Sequence, residues 1–572
     1  MPSPVFRSAP ARGAARSRLV FTNCVFMPFT LVSDIKNLRL SGANHIDALI
    51  SEGPDWNFVG ISPPTDLRYT FSVTTGNEDG QRGQTAFSAA QQAAARTAFT
   101  YLQQVTGIRF VETGFGTGAD IHLASINIPG ADVTGLSSWH TSYTPPTSKY
   151  LNYVLDYSAE AYVYIDNVEF RAQNADLTPG GAGYETLLHE LGHMLGLKHP
   201  FEGDIKLPYD GDHTDNTLMS YDAIRPTFHS TYGQYDLAAL NWIYGGDGLG
   251  GKYGAHGAMD YLTGTDGDDA ISGSAGNERL EGAGGNDVIN GYGGVDEASY
   301  KGLRAEYDIT KIEAGYVVID QFGNDGQDVL VNVEQVVFAD RTVNFAYEAV
   351  VQALYVGYFG RAADYSGMQS FQQQLGALNA PDNLRDLASA YSKDAGLHKL
   401  IDSFASSAES AALYPGNTAT FIQALYQNVF GRAADAAGLA FWSKAIDSGG
   451  LSRANASLSI MAGAFDNKTA QGVLDAKLVN NKLTVASGFT LLIDTPQEVQ
   501  GYGGAAAAAK VRGMLGGVTA ATDLIDYQAT IVATLNGMTG PARAPASVEH
   551  DLPVSHAELI GAGYPSWEPT LV

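Results

Sequence analysis

Residues 184–199 read YETLLHELGHMLGLKH, and that segment decides what the chain can be. From Tyr184 to Leu197 there is no proline, and Leu187, Leu188, Leu191 and Leu195 fall on one apolar stripe, so the spacing predicts a single helix over 184–197. His189 and His193 are four residues apart and project from the same face, one turn apart. Glu190 stands beside that pair, not between them. Gly196 can adopt the left-handed conformation that ends a helix and turns the chain back, which would bring His199 round to the two earlier histidines.

Two imidazole nitrogens so arranged reach one zinc at about 2.0–2.1 Å, and His199 supplies the third ligand. Three protein ligands and one open position make a catalytic zinc site. Structural zinc is normally closed by four ligands, commonly cysteines, and this chain has only Cys24. The expected role of Glu190 is to avoid the metal and take a proton from the water it activates. Isolated core histidines would explain neither the glutamate nor the glycine at these offsets.

A length of 572 residues exceeds what one hydrophobic core supports, so several domains are expected. The formal charge of -27 argues against a nucleic-acid groove, which needs clustered lysine and arginine, and favours cations as partners. With one cysteine, read as a buried or tail thiol, no intrachain disulfide forms, and stability must come from packing or metals. Residues 19–32, LVFTNCVFMPFTLV, follow four arginines and faintly resemble a signal peptide, but Asn23 and Pro28 interrupt the apolar run. A start at Met27 is an equally plain reading, and residues 1–40 are set apart as a tail or mis-assigned start. No apolar run is long enough to span a membrane. Between Arg68 and Leu123 the pattern predicts strands at RYTFSV, IRFVET and ADIHLA, with a helix capped by Ser88 and ended by Gly107, consistent with an α+β domain.

HELGHMLGLKH matches the extended metzincin motif, and Pro200 directly after the third histidine resembles the serralysin branch of those zinc proteases. The resemblance implies an α+β metzincin catalytic domain, placed at 41–247, that hydrolyses peptide bonds in protein substrates. It further implies that Met219 in TLMSY, 217–221, is the turn methionine beneath the zinc, that Tyr221 stabilises the oxyanion, and that YGQYDLAALNWIYG, 232–245, is the closing helix. The chain departs from that pattern at Phe201, where glycine is usual, and in the short step from His199 to Met219, so the loops around the substrate are expected to differ.

From Gly264 to Ser299 run four nine-residue units, GTDGDDAIS, GSAGNERLE, GAGGNDVIN and GYGGVDEAS. Each has glycine at its first and fourth positions. Ile271, Leu280 and Ile289 hold the eighth position, where an aliphatic residue packs inside a parallel β-roll, and Ala298 takes it in the fourth unit. Asp269, Asp287 and Asp296 hold the sixth position, with Glu278 in the second unit, and offer hard oxygen ligands to calcium. Because two units make one turn of a roll, Asp269 is expected to face Asp287, and Glu278 to face Asp296. This array resembles the repeats-in-toxin modules that follow serralysin catalytic domains. Residues 248–345 are therefore read as the roll with a trailing β-rich extension, folded by calcium outside the cell.

ALYVGYFGRAADYSGMQSF, 353–371, returns as ALYQNVFGRAADAAGLAFW, 424–442, within an alanine-rich all-α region at 346–540. Asp364 and Asp435 could cap the following helices or pair with Arg361 and Arg432. The repeat resembles an uncharacterised helical domain of bacterial secreted proteins. Binding a cell-surface partner and serving as a plain folding unit are both open readings. Residues 541–572 read as a tail, with His550 and His556 solvated. Taken together, the sequence predicts a monomeric, secreted or surface-associated endopeptidase, exported by a type I system without a cleaved N-terminal signal, with zinc for catalysis and calcium for structure. The rival reading is a non-enzymatic calcium-dependent surface or adhesion protein with a vestigial protease domain, and the intact Glu190 speaks against it.

Overall fold

A computed structural model describes residues 38–540, apart from 52, 55, 59–65, 131, 145–153, 155 and 313. Cys24, His550 and His556 lie outside the described residues.

The first sheet is built from β1 (Asp66–Thr70), β2 (Arg109–Glu112), β3 (Ile121–Ile126), β4 (Gly135–Thr144) and β5 (Asp156–Asp166) in the order β2-β1-β3-β5-β4. All neighbours are parallel except β4, which lies antiparallel to β5 along one edge. Helix α1 (Ala89–Thr106) starts on the Ser88 cap, with Ser88 and Gln91 bonding each other's backbone, and ends at Gly107 with φ +72°. Its Ala95, Ala98, Phe99 and Leu102 are buried, and the Phe99 ring stacks on Tyr69 at 4.0 Å. The expected strand RYTFSV starts earlier and stops sooner than its apolar alternation suggests. The Thr70 hydroxyl donates to Thr113 O at 2.9 Å and accepts from Ser72 N at 3.1 Å, turning the chain out of the sheet. Helices α2 (Ala182–Met194) and α3 (Gln234–Tyr244) complete this part.

Beyond it, strands alternate between two five-stranded sheets. One holds β6 (Asp260–Thr263), β8 (Glu278–Glu281), β10 (Glu297–Ser299), β14 (Gln335–Val337) and β15 (Thr342–Asn344). The other holds β7 (Ala270–Ser272), β9 (Val288–Asn290), β11 (Tyr307–Ile312), β12 (Gly315–Asp320) and β13 (Gln327–Val331). The repeat strands are parallel within each sheet. Residues 300–345 do not simply trail the repeats: β13 pairs in parallel with β9, and β14 with β10, so the winding resumes after the β11–β12 hairpin. Ile271, Leu280, Ile289 and Ala298 are buried between the sheets with Leu330 and Val336, in a core continuous with that of the first sheet.

The rest is helical. Helix α4 (Glu348–Phe359) ends at Gly360, and Asp364 caps α5 (Tyr365–Ala377). Likewise α6 (Thr418–Phe430) ends at Gly431, and Asp435 caps α7 (Ala436–Asp447). Both arginines of the repeated FGRAAD segment grip an acid from a later helix, Arg361 on Glu409 at 2.8 and 3.0 Å and Arg432 on Asp475 at 3.0 and 2.5 Å. Asp364 also lies 3.3 Å from Arg361. Buried Arg304, just before β11, donates to Leu491 O at the end of α8 (Ala470–Leu491), which ties the helices to the sheets. Among the described residues no helix is long and apolar enough to cross a membrane.

Candidate metal centre

Tyr184, Leu187, Leu188, Leu191 and Met194 are buried and seat α2 against the first sheet. The helix ends at Met194 rather than Leu197 because the next residues close it. Gly196, at φ +97°, donates to His193 O at 3.0 Å, and Leu197 N donates to Gly192 O at 3.0 Å. This pair of bonds needs a left-handed residue at Gly196, the position the sequence singled out. Trp56 Nε1 and the Tyr244 hydroxyl satisfy the carbonyls of Met194 and Leu195, each at 2.8 Å. The reversed chain then pairs with residues 49–51, where Lys198 N donates to Leu49 O at 2.7 Å, and His199 comes back over the helix.

His199 Nε2 lies 3.2 Å from both His189 Nε2 and His193 Nε2. The other ring nitrogens are occupied: His189 Nδ1 is 2.7 Å from Leu218 O, and His193 Nδ1 is 2.9 Å from Leu197 O. Each Nδ1–H donates to a carbonyl, so the Nε2 lone pairs of these two rings face inward. Burial holds both rings neutral, pushing His189 down to about 3 and His193 to about 4. Two ligands about 2.0–2.1 Å from one tetrahedral ion stand about 3.3 Å apart, so the donor set and its spacing fit zinc. Among the described residues this is the one group of three or more metal-ligating side chains that converges.

Glu190 is 6 % exposed, and burial pushes it up to about 8. Space for its carboxylate comes from Gly135, the first residue of β4, where a methyl group would meet Glu190 Oε1 at 2.6 Å. Met219 is fully buried beneath α2, and a methyl at Gly192 would lie 2.7 Å from its sulfur. Buried Asp236 of α3 fixes the turn carrying Met219, accepting from Thr217 Oγ1 at 2.6 Å, Leu218 N at 2.7 Å and Gly233 N at 2.9 Å. The same turn presents Leu218 O to His189. The Tyr221 hydroxyl lies 2.8 Å from His199 Nε2, although the residue is 69 % exposed. Gly135 lies in no motif, and Asp236 lies in the closing-helix segment 232–245 without its role showing there; only their neighbours in space reveal what the two residues do.

In the acidic repeats the carboxylates form two ladders. Asp269 N donates to Asp287 Oδ1 at 2.8 Å, and Asp287 N to Asp328 Oδ1 at 2.9 Å. Glu278 N donates to Asp296 Oδ1 at 2.9 Å, and Asp296 N to Glu334 Oε2 at 2.8 Å. Asp287 and Asp296 are 0 % exposed, and the Oδ2 of each has no hydrogen-bond partner. Burial, then the neighbouring acids, pushes Asp287 up to about 8 and Asp296 to about 7, and burial pushes Asp328 to about 7. Buried, unpaired acid oxygens on residues neighbouring other acids are the donor chemistry a hard cation such as calcium takes, although among the described residues no three of these carboxylates converge as the histidines do. Asp328 and Glu334 were not among the residues singled out in the sequence. The signal was present in GNDGQDVLV, 323–331, which repeats the glycine, acid and aliphatic phase of the earlier units after the hairpin has interrupted it.

Over 246 residues the chain is 26% identical to a serralysin from Proteus mirabilis, covering 38% of this chain and 49% of that protein. Over 177 residues it is 29% identical to a serralysin from Photorhabdus laumondii, covering 28% and 34%. Over 223 residues it is 26% identical to a protein named Metalloprotease AprA from Pseudomonas entomophila, covering 34% and 42%. The chain thus spans between a third and a half of the length of these relatives. The profile of a family described as "Domain of unknown function (DUF4214)" matches residues 401–469, which take in the second FGRAAD segment.

Proposed function

We propose that the chain is a secreted, zinc-dependent endopeptidase acting on proteins. Its catalytic part is 41–247, a calcium-binding parallel β-roll with its extension is 248–345, and a helical region is 346–540. The observation that carries this reading is the approach of His199 Nε2 to 3.2 Å from both other Nε2 atoms, beside a buried glutamate. The likeness to serralysins supports it.

Zinc, when bound, supplies a Lewis acid and lowers the pKa of a water to about 7. His189, His193 and His199 would hold it through Nε2, with the carbonyls of Leu218 and Leu197 keeping two of the rings in the required tautomer. Glu190 takes a proton from the attacking water on a carboxylate oxygen and passes it to the nitrogen of the departing amine. A cation held by the histidines favours the ionised carboxylate, countering the burial that raises it. The Tyr221 hydroxyl donates to the carbonyl oxygen as negative charge develops there. The substrate backbone lies along the outer edge of β4, which faces no other strand among the described residues. Asp269, Asp287 and Asp296, with Glu278, Asp328 and Glu334, take up calcium, so the roll folds fully only after a type I exporter has delivered the chain outside the cell.

The purified chain, given zinc and calcium, is expected to cleave casein, to stop when zinc is stripped and to resume when zinc returns. A chain that retains zinc and leaves casein intact would point to the non-enzymatic surface protein instead.

A further inference from the structure

Phe201 follows the His199-Pro200 pair, and its ring lies parallel to the His199 imidazole, with 5.1 Å between centroids and 4° between planes. Its other ring contact among the described residues is with Tyr221, at 5.2 Å and 54°. Tyr221 in turn sits 4.6 Å from the His199 ring and 5.8 Å from the His189 ring. The phenol is thus held by two of the three converging histidines and by Phe201. Apart from the 2.8 Å contact of its hydroxyl with His199 Nε2, little else holds it, since residues 221–228 are all exposed. The backbone on either side is anchored, with Thr214 N donating to Asp222 O at 2.9 Å and Asp222 N to Ser220 Oγ at 3.1 Å, but those bonds leave the Tyr221 side chain free to rotate. The turn that carries Phe201 is closed by Glu202 N donating to His199 O at 3.1 Å and Leu207 N to Pro200 O at 3.0 Å, and the ring itself is held by its stacking on His199.

We propose that Phe201 is a positioning residue that braces Tyr221 over His199 and so sets where the Tyr221 hydroxyl meets the reacting carbonyl, an inference that rests on the endopeptidase reading. Aromatic pairs attract at centroid separations of about 4.5–7 Å, and both pairs made by Phe201 lie in that range. A donor that stabilises an oxyanion acts only within about 2.7–3.1 Å of the developing charge, so a phenol that swings freely spends most of its time elsewhere.

The test uses the full chain loaded with zinc and calcium. Losing a whole oxyanion donor costs about 10²–10³ in kcat, and loosening one is expected to cost less, so Phe201→Ala should lower kcat about tenfold with KM changed less than about twofold and zinc content unchanged. In a Tyr221→Phe background the same substitution should cost less than about twofold, because the hydroxyl it positions is gone. Phe201→Trp should retain most of kcat. Nitration by tetranitromethane, mapped by mass spectrometry, reads the brace without any proteolysis: Phe201→Ala should speed modification of Tyr221 several-fold relative to Tyr209, which is 89 % exposed. Equal kcat losses in both backgrounds, or an unchanged nitration ratio, would overturn the proposal. Failure of every variant and of the wild type to cleave would count against the endopeptidase reading, while the nitration ratio would still decide the brace.

Discussion

At the histidine centre three donors converge and burial holds two of them neutral, whereas in the acidic repeats the candidate donors are alike in charge and stand in ladders. His189 and His193 each spend one ring nitrogen on a backbone carbonyl and turn the other inward, and burial keeps them uncharged. That cradle is held by an apolar helix, a glycine turn and Asp236, none of which needs a metal. In the ladders, by contrast, Asp287 and Asp296 are buried among other acids, and half of each carboxylate has no partner. A cation bound there, as proposed, would offset a repulsion built into the fold. On the proposed reading, the difference teaches that one chain can carry a preformed metal site and a metal-dependent one, distinguished by whether the ligands already repel each other.

The largest expected effect is on the ladders. Chelating calcium at neutral pH should remove hydrogen-exchange protection from residues 264–337 while leaving α2 protected, and equal loss in both regions would break the contrast. Its pH dependence follows from the raised carboxylates. The folded ladders hold protons near pH 7 to 8 that the unfolded chain releases near pH 4, so this contribution to calcium-free stability is full below pH about 4 and lost as pH rises through 7 to 8. Thermal unfolding in chelator should therefore show the ladders less stable at pH 8 than at pH 5.5, and calcium should reverse that order.

Next in size is Gly135→Ala. A methyl group 2.6 Å from Glu190 Oε1 forces the carboxylate or the edge strand to move, and a displacement of about 1 Å costs about 10²-fold in kcat/KM. Zinc content and the response to calcium should not change. Activity within twofold of wild type would show that Glu190 does not need the space β4 leaves it. The smallest effect expected is that of Asp287→Asn, which keeps the acceptor for Asp269 N and, measured above the pH of about 8 to which burial pushes this carboxyl, removes one charge from the ladder. In chelator it should raise the Tm by about 2–4 °C, and it should shrink the gain that calcium brings. A lower Tm in chelator would mean that repulsion is not what calcium relieves.

Much of the histidine centre was legible because its parts are local: His189, Glu190, His193, Gly196 and His199 fall within one helix and its closing turn. Helix α1 was legible for the same reason, with Ser88 and Gly107 marking its ends. Gly135 and Asp236 were not, since one clears space and the other ties down a turn for residues distant in sequence. The end of α2 was misjudged by three residues because the apolar stripe continues through Leu195 and Leu197 after the helical bonds have stopped. The repeats gave the pairing of Asp269 with Asp287 and of Glu278 with Asp296 by phase alone. Asp328 and Glu334 escaped because the β11–β12 hairpin separates them from the units whose ladders they extend.

The measurement that bears most directly on the account is casein cleavage by the wild type and by Glu190→Gln at equal zinc content, with calcium present in both. The account predicts that the wild type cleaves and that the variant, with its zinc retained, falls by several orders of magnitude. Cleavage by Glu190→Gln at a rate close to that of the wild type would contradict it.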